Sequence, residues 1–386
     1  MTKQGKQELL KAIRPRYRKA TKREKSRILD EFVAVTGYNR KYAIHLLRNG
    51  PPRPSQKKRG RRLIYGPDVV AALVQVWEAC GHLCGKRLQP FLSDMVEALE
   101  RHGELKLAPE TRSRLLQMSA STIDRRLKRA RSKLAYRGRS TTKPGTLLKN
   151  VIPIRTFADW DEQRPGFVEM DLVAHCGASA TGEFLHTLNV VDIDTRWTEP
   201  IALPNKGQKA TFEGIQTMRR RLPFPLLGID SDSGGEFINY HLYNYCQNEK
   251  ITFTRARPYK KNDQAYIEQR NWTVVRQVVG YARYESPGAL TLLQNVYEDL
   301  RLFVNFFQPV MKLESKTRVG SKVRKKYDVA QTPCQRLLVS AHVDQSVKQR
   351  LSDLYTTLNP AELSRRIEEN LSKLWRFHRY DSRTRQ

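Results

Sequence analysis

The sequence predicts a multidomain protein, with α-helical modules first, an α/β domain containing a mixed sheet next, and a mainly helical tail last. Apolar residues recur at helical spacing up to about residue 135. After about residue 163, three strand-like runs follow one another and then alternate with helical segments. This order is typical of a mixed sheet flanked by helices. A chain of 386 residues is also too long for one ordinary domain.

Charge limits the partners that this chain can have. It contains 70 Lys and Arg residues against 39 Asp and Glu residues, which gives a net charge of +31. Such an excess indicates a polyanion or a negatively charged surface as partner. A membrane is the less favoured choice, since no apolar run approaches the roughly 18 residues of a spanning helix. The first twenty residues lack the apolar centre of a signal peptide. Five scattered cysteines, an odd number, suit a reducing cytosol.

Residues 1–50 read as a first helix-turn-helix module. Thr21 and Glu24 form a capping box that opens one helix, and "TGYN" ends it. Asn39 then caps the basic helix "RKYAIHLLR", in which Arg40 and Lys41 are candidate DNA contacts. The alternative is an ordinary solvated charged face. Residues 51–62, "PPRPSQKKRGRR", read as a proline-rich basic linker.

Residues 63–135 read as a second helical module that ends in another helix-turn-helix pattern. Two amphipathic helices flank "CGHLCGKR", whose cysteines we expect to be buried around a turn, because no second ligand pair follows at zinc-site spacing. The turn "MSAS" then precedes the helix "TIDRRLKRARSKL". Acidic partners at i+4 are nearly absent, which favours DNA binding over a solvated face. The predicted DNA contacts are Arg125, Arg126, Lys128 and Arg129.

The remaining boundaries follow from composition. Residues 136–162 read as a connector rich in Gly, Ser, Thr and basic residues, and 163–309 as the mixed-sheet domain. Residues 310–386 begin with the basic run "SKTRVGSKVRKKYD" and then become helical. The last helix carries an apolar stripe made of Leu363, Ile367, Leu371 and Leu374. That stripe predicts either a helix packed on the core or a surface for subunit contacts or DNA.

Three acidic residues lie where this topology would bring them together. Asp171 lies inside the first strand, in "VEMDLV", where a charge is costly unless it is paired or bound to metal. Asp232 follows the fourth strand in "SDSGGEF", and Glu268 lies thirty-five residues further on, in "AYIEQRN". Carboxylates are the oxygen ligands that Mg²⁺ or Mn²⁺ prefers, and three of them can hold two ions for in-line phosphoryl transfer. The alternative is a buried ion pair plus an ordinary turn.

At these residues the sequence resembles a known family. The segments "MDLV", "DSDSGGEFIN" and "RPYKKNDQAYIEQRN" resemble DDE-type insertion-sequence transposases, which belong to the retroviral integrase-like superfamily with a ribonuclease H-like catalytic core. The resemblance implies that Asp171, Asp232 and Glu268 are the catalytic residues and hold two Mg²⁺ (or Mn²⁺) ions per active site. It further implies binding to terminal inverted repeats and target double-stranded DNA, metal-dependent cleavage and strand transfer, and a homo-oligomer assembled on DNA. No membrane partner is implied, and the expected location is the bacterial cytoplasm, near the nucleoid.

Further residues receive supporting roles. Asp230 lies two positions before Asp232, and we expect it to orient the metal ligands by accepting a hydrogen bond or pairing with a basic side chain. Lys260, Lys261 and Arg270 are expected to contact DNA phosphates. One rival is a non-catalytic DNA-binding regulator derived from a transposase, which would have no reason to keep a charge inside the first strand. A second rival is a plain metal-dependent nuclease, which would not need two DNA-reading modules.

Overall fold

The computed structural model describes residues 1–51, 64–132, 164–232, 234–256 and 264–377. The chain divides into two compact units, Met1–Ile64 and Tyr65–Gln386. The predicted linker (apart from Pro51) and the predicted connector lie outside the described residues, as do Lys260 and Lys261. Across the described ranges, no helix is long and apolar enough to span a bilayer.

The first unit contains three helices in its described part, which are α1 (Lys3–Lys19), α2 (Lys22–Thr36) and α3 (Arg40–Asn49). Helix α1 was not predicted. The predicted caps are present: the capping box joins Thr21 to Glu24, and the Asn39 side chain accepts from the Lys41 amide. Phe32 and Leu47 are fully buried in the core that the three helices share.

The second unit begins with four helices, α4 (Pro67–Ala79), α5 (Gly85–Arg101), α6 (Pro109–Leu116) and α7 (Ala120–Arg131). Ser119 caps α7 by accepting from the Thr122 amide. The first turn of α7 packs directly on the first residue of α5. Asp124 accepts from the Gly85 amide at 2.7 Å, and a Cβ at Gly85 would lie 2.2 Å from the Ala120 carbonyl oxygen. Only glycine allows this approach, which fixes the orientation of the basic helix α7.

Helices from distant parts of the sequence complete this core. They are α12 (Pro287–Phe307), α13 (Pro333–Val339), α14 (Gln345–Thr357) and α15 (Pro360–Leu374). One hydrophobic cluster joins Trp77 and Phe91 to Leu293 of α12, so the core continues across the predicted boundaries near residues 135 and 310. The whole apolar stripe of α15 is buried in this cluster, and Arg366 pairs with the buried Asp299 of α12 at 2.6 Å. Of the two interpretations of this stripe, a helix packed on the core is the one that agrees with its burial.

The predicted mixed sheet is confirmed. Its five strands are β1 (Phe167–Ala174), β2 (His186–Asp192), β3 (Thr198–Leu203), β4 (Gly228–Ser231) and β5 (Thr252–Arg255). Their order is β3-β2-β1-β4-β5. The first three strands pair antiparallel, whereas β4 is parallel to both β1 and β5. The central strand is thus β1, with β2 on one side and β4 on the other.

Alternation along β1 decides which side chains reach which face. Val168, Met170 and Leu172 lie in the apolar core formed with α8 (Gln208–Arg221) and α9 (Tyr240–Asn248). Because strand residues alternate, Glu169 and Asp171 lie on the opposite face. That face is covered by α10 (Ala265–Arg270), a π-helical segment (Asn271–Arg276) and α11 (Gln277–Val279).

The basic run after residue 312 differs from its sequence-based prediction. It forms an antiparallel hairpin of β6 (Leu313–Val319) and β7 (Lys322–Tyr327), where only a basic segment leading into helices was expected. Alternation of basic residues with Thr317 and Val323 is a period-two pattern. Gly320 supplies the turn with a φ of +62°, a conformation that other residues rarely adopt.

Candidate active site

Two of the three predicted carboxylates meet at one edge of the sheet. In the parallel pairing of β1 with β4, Met170 lies opposite Ser231. The next residue on each strand is an aspartate, Asp171 on β1 and Asp232 just beyond β4. Carboxyl ends of neighbouring parallel strands form the crevice where ligands bind in open α/β sheets. The short strand β4 therefore positions Asp232 beside Asp171.

The pKa values of the two aspartates are both raised, and the charge of one contributes to the shift of the other. Burial raises the pKa of Asp171, and the negative charge of Asp232 raises it further, to about 7. Burial likewise raises the pKa of Asp232, an effect that the Gly234 amide partly offsets by donating to Oδ1 at 2.9 Å. A pair of carboxylates raised in this way gains most from a bound cation, since a cation removes their mutual repulsion.

The segment after α10 holds Asp171 from the covering face. Asn271 Nδ2 donates to Asp171 Oδ2 at 2.7 Å, and Asn271 Oδ1 accepts from Asn189 Nδ2 at 2.9 Å. Asn189 lies directly opposite Asp171 on β2. The helix changes to π-helical geometry at Asn271, a distortion that is frequent at functional sites. Sequence reasoning missed Asn271, although it lies three positions after Glu268 in "EQRN".

Glu268 is not brought into the same cluster. It lies on α10, three residues before Asn271, and its side chain is exposed. Within the described ranges, no group of three acidic, histidine or cysteine side chains is arranged to hold a metal ion. The structure thus joins Asp171 with Asp232 and leaves Glu268 one helical turn away from the residue that contacts Asp171.

A different glutamate lies near the pair. A Cβ placed on Gly234 would be 2.9 Å from Asp232 Oδ1 and 2.7 Å from the Glu236 carboxyl carbon, so the two carboxylates flank this glycine. Burial and the charge of Asp232 raise the pKa of Glu236, whose charge in turn raises that of Asp171. The only sequence signal for Glu236 was its place four residues after Asp232 in "DSGGE".

Two residues before Asp171 and Asp232, a second pair of carboxyl groups is buried and connects β1 and β4 to α10. Glu169 and Asp230 lie opposite each other on β1 and β4, and both are fully buried. Glu169 Oε2 accepts from the Ile267 amide at 2.8 Å, and burial raises its pKa to about 8. Asp230 accepts from Thr254 at 2.6 Å and from Gln264, just before α10, at 3.4 Å. The orienting role predicted for Asp230 thus has specific partners, and they lie in β5 and at the start of α10.

The predicted DNA contacts differ in accessibility. Arg40, Lys41, Arg125, Lys128 and Arg129 are exposed, and Arg40 pairs with Asp30. Arg126 is half-buried. Arg270 is buried, and its Nη2 donates to the Arg196 carbonyl at 3.0 Å. Burial lowers its pKa to about 9. A phosphate contact by Arg270 is not supported by this placement, because its guanidinium is used inside the protein.

The donor chemistry of the site fits a divalent cation. Asp171 and Asp232 supply hard oxygen atoms of the type that Mg²⁺ binds, at a position where burial and like charge disfavour two bare carboxylates. A complete set of protein ligands would need a third carboxylate. The candidates are Glu268 on α10 and Glu236, which flanks Gly234 together with Asp232.

The raised pKa of Asp171 predicts a pH-dependent stability. A folded-state pKa of about 7 against an ordinary value of 3.8 means that the folded protein binds this proton more tightly, so stability is lost as the pH rises between these values. We expect metal-free Asp171→Asn to melt a few degrees above the wild type at pH 8 and equally at pH 4. Calorimetry in a chelating buffer tests this, and an equal or lower melting temperature at pH 8 would contradict it.

Comparisons with known proteins add one relative. The uncharacterized protein y4rM of Sinorhizobium fredii (strain NBRC 101917 / NGR234) is 42% identical over 331 residues, which cover 85% of this chain and 94% of that protein. No protein-family model matches the chain. The catalytic core domain of BIV integrase is 16% identical with a TM-score of 0.30, covering 44% of this chain and 91% of that one. The magnesium complex of the HTLV-2 integrase core (dimeric form) is 12% identical with a TM-score of 0.29, covering 38% and 90%. TM-scores this low support no conclusion about function.

Proposed function

We propose that this chain, which belongs to the same family as y4rM of Sinorhizobium fredii, is a DNA transposase of the DDE type. It would bind the terminal inverted repeats of a mobile element and catalyse metal-dependent cleavage and strand transfer into target DNA. Family membership by itself names no activity, because y4rM is uncharacterized. The proposal therefore rests on the site and on the sequence motifs around it.

One observation carries the proposal: Asp171, inside β1, and Asp232, just beyond the end of the parallel strand β4, lie side by side, and the charge of Asp232 makes ionisation of Asp171 more costly. A non-catalytic DNA-binding regulator gains nothing from this arrangement, which destabilises the protein near neutral pH. Ion pairing with a cation of the protein would have lowered both pKa values, whereas burial raises both and the charge of Asp232 further raises that of Asp171. The pair is thus suited to an external cation.

In the proposed reaction, Asp171, Asp232 and Glu268 would hold two Mg²⁺ or Mn²⁺ ions. Such ions, when bound, stabilise the entering and leaving oxygens of phosphoryl transfer. Asn271 fixes the Asp171 carboxylate by a hydrogen bond to Oδ2, and a carboxylate oxygen has two acceptor sites, so it can keep that bond and still bind an ion. Glu169 holds the Ile267 amide and thereby positions α10, the helix that carries Glu268.

The protein would act on double-stranded DNA as a homo-oligomer, and the helical segments before residue 132 would select the element ends. The exposed basic face of α7 is the best candidate surface, because Arg125 and Arg129 lie one helical turn apart and both are exposed. Such a helix fits the major groove, where arginine reads guanine.

Replacing Arg125 and Arg129 with Ala is expected to weaken binding to element ends about 10–100-fold while binding to random DNA changes less, because one good arginine–base contact contributes about 1–3 kcal/mol of discrimination. Competition titrations at two salt concentrations measure both affinities. Arg114→Ala is the matched control, since Arg114 is partly exposed on α6 and paired with Glu110 at 2.5 Å. Equal losses on both DNAs would mean that these arginines contact only phosphates.

One assay tests the function as a whole. Purified protein is incubated with Mg²⁺, a labelled DNA fragment from the boundary of the element that carries the gene, and a supercoiled plasmid. Joined products support a transposase. Cut ends without joining indicate a metal-dependent nuclease, and a shifted but intact fragment indicates a DNA-binding regulator.

A further inference from the structure

The hairpin of β6 and β7 is anchored at its base and exposed along its arms. At the base, Val310 and Gln331 exchange two backbone hydrogen bonds, and Lys312 pairs with Asp194 at 2.7 Å. Asp328 accepts from the Lys312 amide and pairs with Arg336 at 2.7 Å. Beyond the base, every side chain described from 314 to 327 is exposed. The ribbon thus has a fixed root in the core and two solvated faces.

The two strands of the hairpin carry mostly positive charge. Between 314 and 327 the single acidic residue is Glu314, which pairs with Lys326 at 2.8 Å. The basic residues of the ribbon are Lys316, Arg318, Lys322, Arg324, Lys325 and Lys326. Cross-strand register places Lys316 directly opposite Lys325, and like charges in such pairs destabilise a hairpin.

An isolated two-stranded hairpin is only marginally stable in water. This one has like charges facing each other and no apolar face of its own within the part that the structure describes, so its sequence does not favour the hairpin for its own stability. A polyanion offsets the repulsion and makes the pattern favourable. A two-stranded ribbon also has the width that the major groove of duplex DNA admits.

We infer that the β6–β7 hairpin is a DNA-binding arm that contacts the phosphates of duplex DNA from within a groove. One face carries Lys316, Arg318 and Lys325, with Val323 opposite Arg318, and the other face carries Lys322, Arg324 and Lys326. Two basic faces suit a groove, which has a phosphate backbone on each side. The inference rests on the proposed function in that it supplies a DNA contact to the same protein, separate from the basic helix α7.

The test compares two full-length triple variants. Lys316→Gln, Arg318→Gln and Lys325→Gln remove one face of the ribbon, whereas Lys250→Gln, Arg350→Gln and Arg376→Gln remove three exposed charges elsewhere in the same unit. Binding to a 30-base-pair duplex of random sequence is followed by fluorescence anisotropy at several salt concentrations. Melting temperatures equal to that of the wild type show that both variants fold.

For the ribbon variant we expect an affinity at least about tenfold lower and a salt slope reduced by about 2 to 3, because each lost phosphate contact lowers the slope by about 0.9. The control variant should keep the wild-type slope. An unchanged slope in the ribbon variant overturns the inference, as does a loss of binding to phosphatidylserine vesicles or polyglutamate with DNA binding intact. These outcomes are independent of the joining assay. A wild-type protein that binds DNA through the ribbon but never cuts or joins it would overturn the proposed function alone.

Discussion

Asp232→Ala is expected to abolish cleavage and strand transfer, with a loss of about 10³-fold or more, while binding to element ends stays within about twofold of the wild type. Asp232 lies beyond the end of β4, beside Asp171, and both carboxylates are proposed to hold the ions. Recognition is proposed to lie on other elements, α7 and the helices before it. Single-turnover cleavage and end binding, measured on the same preparation, separate the two effects.

Asp230→Ala is the matched control for this variant. Asp230 is two residues earlier and fully buried, and it bonds to Thr254 and Gln264 behind the proposed ligands. We therefore expect it to keep measurable activity, reduced by about 10–100-fold, the usual scale for groups that orient metal ligands. An inactive Asp230→Ala beside an active Asp232→Ala would reverse the assignment of the two aspartates. Asp171→Asn should match Asp232→Ala, because the two carboxylates form one pair.

Much of this fold could be predicted because local signals and tertiary packing agree. The caps at Thr21 and Asn39 form as their residue types predict. The position of Asp171 inside an apolar strand is exceptional on sequence grounds alone. Such signals depend on a residue's immediate neighbours along the chain, which the sequence contains in full.

What the sequence could not provide depends on contacts between distant segments. The link from Asn271 to Asp171 joins residues one hundred positions apart, and nothing local marks an asparagine on a helix as the partner of a strand carboxylate. The burial of Arg270 has the same origin, since its acceptor is the Arg196 carbonyl on a distant turn. The basic hairpin was missed for a different reason. Lysine is depleted in strands, and the period-two pattern is short, so the segment was read as a basic run and not as a hairpin.

The identity of the third carboxylate leads to the last prediction. Glu268→Gln is expected to reduce cleavage and joining by about 10³-fold or more, whereas Glu236→Gln should retain activity within about tenfold. Glu268 lies one turn before Asn271, which bonds to Asp171, and the Ile267 amide beside it is held by the buried Glu169. Its helix is thus fixed one residue before and three residues after the glutamate, and its exposed carboxylate lies on the side open to solvent, where a DNA substrate has to enter.

Glu236 has a different environment, although it is the glutamate that the structure places beside Asp232. Burial is the main cause of its raised pKa, as it is for Asp171 and Asp232, so this shift does not separate Glu236 from the proposed ligands. The choice of Glu268 rests on the sequence motif "AYIEQRN". The Mn²⁺ concentration that gives half-maximal single-turnover cleavage is the measurement that separates the two glutamates. Glu268→Gln should shift it strongly upward or leave no activity to measure, and Glu236→Gln should leave it nearly unchanged. The reverse pattern would assign the third ligand to Glu236 and make Glu268 a residue of the DNA-facing surface.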